Sequence, residues 1–110
     1  MKIKFEAYGE KHEVTLVKGN YLNNNNVFLA AYEGFDRWCD ITTNFDMPLD
    51  ENMAFLDMNN SQKTIEALPE GSYETVAMYP SGYCVYPIVR LNKDFLDEIQ
   101  NIDDYLDSFF

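Results

Sequence analysis

The sequence predicts an α+β fold: an antiparallel β-sheet of about six to seven strands, built from hairpins, with a short middle helix and an amphipathic acidic C-terminal helix packed on one face. Three observations carry that expectation. Apolar and polar residues alternate with period two at the N-terminus, short β-rich runs recur between turn-forming residues through the middle, and the last 18 residues change to a helical period.

From Lys2 to Tyr8, Ile3, Phe5 and Ala7 alternate with Lys2, Lys4 and Glu6, the pattern of a strand with one face in water. Lys11 to Val17 repeats it with Val14 and Leu16, and Gly9 and Glu10 make a short turn between them, so the first 17 residues read as a hairpin. Lys18 to Asn26, with Gly19 and four consecutive asparagines, reads as a loop unable to bury a core face. Val27 to Glu33 and Arg37 to Asn44, separated at Gly34, form a second hairpin-like pair. The acidic loop 46–52 precedes a short strand, Met53 to Asp57. A helix of about two turns follows, capped by Asn59, Asn60 or Ser61, running to Leu68 and ended by Pro69 to Gly71. Tyr73 to Tyr79 and Tyr83 to Leu91 flank a tight reversal at Pro80, Ser81 and Gly82, giving a third hairpin in which Pro87 calls for an edge position or a bulge.

At 110 residues, with 46% apolar and 15% aromatic residues, the chain suits a single domain with one core, folding alone or as a small oligomer such as a homodimer. The N-terminus lacks the apolar stretch of a signal peptide, and no run approaches the roughly 20 apolar residues that cross a bilayer. The expected location is therefore the cytoplasm, with no membrane partner. Cys39 and Cys84 belong to no CxxC pair and read as buried free thiols.

Acids outnumber bases 19 to 8, a formal charge of −11 that repels phosphate backbones and argues against direct nucleic-acid binding. The same field attracts proteins with basic clefts, nucleic-acid enzymes among them. Solubility is the competing explanation of the acidity. The charge is concentrated at the C-terminus, where the tail from Lys93 onward carries six acids against one base, or −5.

After Asn92, a plausible cap, the residues Phe95, Ile99, Ile102, Leu106 and Phe109 form one helical stripe that should dock on the sheet. Asp94, Asp97, Asp104 and Asp107 fall on the opposite arc, and Glu98 and Asp103 flank the stripe. These six acids are the candidate partner-binding residues. On one helix they would extend roughly 20 Å, long enough to imitate a row of phosphates. Asp103, Asp104 and Asp107 would then sit near the negative end of the helix dipole and oppose it, so local stability would not account for them.

Catalytic and cofactor chemistry find little support. The single histidine, His12, lies on the first hairpin, and no GxGxxG, P-loop, HExxH or GxSxG motif occurs. The loop Asp46 to Glu51 lacks the spacing of a calcium-binding EF-hand, and Asp57 with Asn59 and Asn60 suits a turn or helix cap better than a metal. The expectation is no cofactor, no metal and no enzyme activity.

Three segments, DITTNFDMPL at 40–49, AFLDMNN at 54–60 and SGYCVYPIVRL at 81–91, resemble a family of uncharacterised short proteins carried by conjugative elements and phages of Gram-positive bacteria. The most specific part is the Ser-Gly-Tyr-Cys-x-Tyr-Pro run at 81–87, and Asp57, Asn59, Asn60, Ser81, Gly82, Tyr83 and Tyr86 match motif positions. The resemblance implies an accessory gene of a mobile genetic element, a setting rich in inhibitors of host defence. It points to an anti-CRISPR protein similar to type II-A Cas9 inhibitors, because the guide and target channels of such nucleases are strongly basic. Cas9, or another nucleic-acid-binding protein with a basic cleft, is the expected partner. The alternatives are a DNA-mimic antirestriction protein and a structural or regulatory module of the mobile element, assembling through aromatics such as Phe109, Phe110 and Trp38.

Overall fold

Period-two alternation builds the first hairpin. In the computed structural model, which describes residues Met1–Phe110, β1 (Lys2–Ala7) and β2 (Glu10–Asn20) pair antiparallel with Ala7 opposite Glu10. Tyr8 and Gly9 link them with φ of 55° and 76°, so both turn residues are left-handed, as a type I′ hairpin turn requires.

β2 continues three residues beyond the expected strand, to Asn20, and pairs with β3 (Val27–Glu33), which pairs with β4 (Asp36–Asp40). The chain then leaves this sheet at one residue, Ile41. Its N–H donates to the Leu29 carbonyl at 2.9 Å, and its carbonyl accepts from the Asp57 N–H at 2.9 Å. Directly after it, β5 (Thr42–Thr43) joins a second sheet ordered β5-β6-β8-β7, with β6 at Met53–Leu56, β7 at Tyr73–Ser81 and β8 at Cys84–Leu91. The run expected as one strand from Arg37 to Asn44 is thus a strand that changes sheets. The expected single sheet becomes two, with nine strands in all when the short β9 (Gln100–Asn101) is included.

The main core lies between the sheets. Leu16, Leu29, Ile41, Leu56, Val89 and Leu91 are almost fully buried there, each contributing about 1.5–3 kcal/mol by leaving water. α1 (Met58–Glu66) adds Ile65 to this core, and its cap is Asp57, in the turn or cap role read for it, and not Asn59, Asn60 or Ser61; its carboxylate accepts from the Asn60 N–H at 3.3 Å. Asp57 precedes the helix immediately, whereas the asparagines already lie within its first turn.

The third hairpin reverses at Gly82 and Tyr83, because Ser81 pairs with Cys84, and Gly82 has a φ of +63°. Pro80 therefore lies within β7, which tolerates it as an edge strand. β6 pairs with β8 at Ile88–Arg90, so Pro87 falls where one side of β8 is free, the edge position it called for.

The asparagine-rich segment is less of a loop than its composition suggests. Asn26 is buried: its amide donates to the Asn44 side chain at 3.1 Å and the Met47 carbonyl at 3.0 Å, and its Oδ1 accepts from the Leu49 N–H at 2.8 Å. Asn24 adds a bond to the Phe45 carbonyl at 2.8 Å. The side chains clasp the 44–49 segment, which covers the outer face of the second sheet with Phe45, Met47 and Leu49.

Candidate interaction surfaces

The C-terminal segment is two short helices. Asn92 caps α2 (Lys93–Asp97), accepting from the Phe95 N–H at 3.1 Å, and Lys18 Nζ donates to the Leu96 carbonyl at 2.7 Å at its other end. β9 then pairs in parallel with Val17 and Lys18 of β2. Asn101 caps α3 (Ile102–Asp107), accepting from the Asp103 N–H at 2.9 Å.

The expected continuous helix fails because its apolar residues serve two different surfaces. Phe95, Leu96 and Ile99 pack into the core between the sheets, whereas Tyr105, with Ile102 and Leu106, packs with Val17, Ala30 and Tyr32. Val17 and Ala30 alternate with Leu16 and Leu29, so the second group covers the opposite face of the first sheet. A straight helix cannot reach both faces, and the backbone crosses the sheet edge at β9. Leu96 and Tyr105 lie off the stripe of an unbroken helix, which is why the periodicity missed them, and Phe109 at the end of that stripe is exposed.

All six candidate acids are exposed, and none forms an ion pair. Asp94, Asp97 and Glu98 belong to α2 and its C-cap, and Asp103, Asp104 and Asp107 belong to α3. They do not share one helix, so the 20 Å row becomes two trios. The break also reverses part of the dipole argument: Asp103 and Asp104 occupy the first turn of α3, where the N-terminal partial charge favours them. Asp107 alone of the second trio lies at an unfavourable helix end.

His12 sits at the margin of the core. Its ring stacks on Phe5 at 5.6 Å and meets Trp38 at 4.4 Å, and Nδ1 lies 2.7 Å from a Glu33 carboxylate oxygen. Nε2 is buried without a partner. Trp38, offered above as an assembly aromatic, is engaged internally through Nε1, which donates to Thr64 Oγ1 at 3.1 Å. Cys39 and Cys84 are free, as expected, but half-buried rather than buried. Cys39 lines an open depression of about 350 Å³ with Tyr8, Trp38 and the Asn59–Thr64 part of α1, to which neither His12 nor any carboxylate contributes.

The three segments 40–49, 54–60 and 81–91 meet in space. Phe45 lies 4.9 Å from Tyr86 and 4.9 Å from Phe55, and Tyr79 closes the cluster at 4.8 Å from Phe45. Asp57 serves as the helix cap, bonded also by the Asn60 amide at 3.1 Å. Packing accounts for Phe45, Phe55 and Tyr86 within the fold, and capping for Asp57 and Asn60. No helix is long and apolar enough to cross a membrane. Comparison with family models, curated proteins and solved structures finds no match to this chain.

Proposed function

We propose that this protein acts without turnover, by binding a nucleic-acid-handling protein through its acidic surface, and that a Cas9-type RNA-guided nuclease in a bacterial cytoplasm is the sharpest case. The observation that carries this proposal is the uncompensated charge of the C-terminal segment: six exposed carboxylates, none in an ion pair. Four basic residues elsewhere are engaged locally with carboxylates, Lys2 and Lys4 with Glu13, Arg37 with Asp40 and Arg90 with Glu74. Because α2 and α3 cover opposite faces of the first sheet, a partner meeting both trios must embrace the sheet edge at β9. A groove for guide RNA or target DNA has the depth and the positive lining for that.

The test mixes the purified protein with Cas9 in equal amounts, with and without guide RNA. Comigration on a sizing column and slowed DNA cleavage, both weakening as salt rises, are the expected results. Failure of both at moderate salt refutes the proposal. Protection of DNA from a restriction complex, with no effect on Cas9, would instead favour the antirestriction alternative.

A mobile-element assembly module is the second reading, favoured by one observation. Phe35, Phe109 and Phe110 form an exposed aromatic patch, with ring centroids 5.4 and 5.7 Å apart. Partner binding that is insensitive to salt but lost on truncating Phe109 and Phe110 would support it.

A further inference from the structure

Residues 75–89 hold no Asp, Glu, Lys or Arg in a chain that is 25% charged. Burial explains the strand half of the other long uncharged run, 19–32, where Val27, Leu29, Ala30 and Ala31 are core residues, and an asparagine-rich turn supplies the rest. Burial does not explain this one. Met78 is 56% exposed, Val85 48% and Val76 40%, and Tyr83 is fully exposed at the tip.

The exposure follows from the pairing. β6 reaches β8 at Ile88–Arg90, so beyond that point β7 and β8 have no other strand beside them and project as a two-stranded arm. Along β8 the inward-facing row of Leu91 and Val89 continues as Pro87 and Val85, with Met78 opposite Pro87 and Pro80 opposite Val85 on the same side. The other side is covered, since Tyr79 and Tyr86 pack on Phe45. One apolar face is therefore left without a cover. The outer edge of β7 is interrupted by a bulge between Thr75 and Ala77 and by Pro80, devices that obstruct strand addition and leave the face itself as the sticky surface.

We propose that this face docks on the same face of a second copy of the chain, arm against arm about a two-fold axis. Charge selects that occupant. Each copy carries −11, so contact through most of the surface brings carboxylates together, whereas the arm offers a stretch where two copies meet without like charges. Area sets the strength. Met78 and Val85, each about half exposed, with Pro80 and Pro87 beside them, expose on the order of 300 Å² per copy, so two copies bury about 600 Å², the size of a weak contact. The dimer is weak and depends on concentration.

Sedimentation of the full chain from micromolar to millimolar concentration tests the proposal, and its salt dependence separates it from acidic-face binding. Raising salt from about 0.1 to 1 M shortens the screening length from about 10 to 3 Å, and should strengthen the dimer by screening the repulsion between copies. Salt should weaken binding to a basic partner, so either proposal can fail without the other. M78K and V85K alter exposed positions, and each should weaken dimerisation at least about tenfold while leaving the thermal unfolding transition in place. A constant mass of 12.8 kDa at high salt overturns the proposal. So does a dimer that survives both variants, or one that salt dissociates. If the chain stays monomeric and the variants instead impair binding to Cas9, the face serves that partner and self-association is refuted.

Discussion

The Tyr105 hydroxyl donates a hydrogen bond to the Gly34 carbonyl across 71 positions of sequence, tying α3 to the turn between β3 and β4. The same ring packs on Tyr32 at 5.5 Å, so one side chain fixes the last helix both by a polar bond and by burial. The second trio of acids is presented on that helix.

Tyr105→Phe should cost about 0.5–1.5 kcal/mol, the net worth of one hydrogen bond. Tyr105→Ala should cost about 3–5 kcal/mol, because it also empties the site between α3 and the sheet. Urea unfolding midpoints measure both, and equal losses would show that the ring contributes nothing beyond its hydroxyl.

The second acidic trio should separate stability from binding. Asp103→Lys and Asp104→Lys should each destabilise by about 0.3–1 kcal/mol through the start of α3, whereas Asp107→Lys at its end should be neutral or stabilising. All three should weaken a basic partner and flatten the salt dependence of its binding. Thermal unfolding beside titrations at two salt concentrations reads the two effects independently, and unchanged affinity in every variant would remove the α3 trio from the interface.

Asn26→Ala should be among the costliest polar substitutions. It leaves the Met47 carbonyl and the Leu49 N–H without their partner, a loss of about 1–3 kcal/mol. Asn23→Ala, which removes only an exposed hydrogen bond from the Asn44 amide, should cost no more than about 0.5 kcal/mol. Denaturant midpoints of the two variants, compared directly, test whether the clasp works through the buried amide.

Alkaline stability should depend on Tyr21. Burial, opposed by its hydrogen bond to Thr42, raises the phenol above its ordinary value of about 10. Above pH 10 the folded form therefore holds a proton that the unfolded chain releases. Its contribution is complete below that pH and is lost as pH rises through the folded value. Tyr21→Phe should give a shallower fall in the unfolding midpoint above about pH 10, with no difference in slope near pH 7.

Local alternation was sufficient to read the N-terminal hairpin from sequence, since Ile3, Ala7, Val14 and Leu16 do face inward and Tyr8–Gly9 makes the turn. What the sequence hid depends on contacts distant along the chain. Nothing in Arg37 to Asn44 marks Ile41 as a corner, because its bonds run to Leu29 and Asp57. Asn26 looked like loop filler because burial of an amide depends on carbonyls some 20 positions away. The six acids were found at the surface as anticipated, but periodicity could not divide them, because the cap at Asn101 competes with helix continuation and packing on two sheet faces decides between them. The apolar arm had a signal in its missing charges, and the meaning of that signal came from its exposure.

Two distant segments guard one strand. The Leu16 N–H donates to the Met1 carbonyl, and directly beyond it Val17 and Lys18 face Gln100 and Asn101, so the N-terminal residue and the C-terminal strap abut along the same border of β2. Fraying of Met1 or release of β9 uncovers neighbouring amides of a strand whose Leu16 and Val17 side chains belong to different apolar layers. Loosening there would disturb the two layers together, so hydrogen exchange along Leu16–Lys18 would act as a gauge of how firmly the molecule is closed.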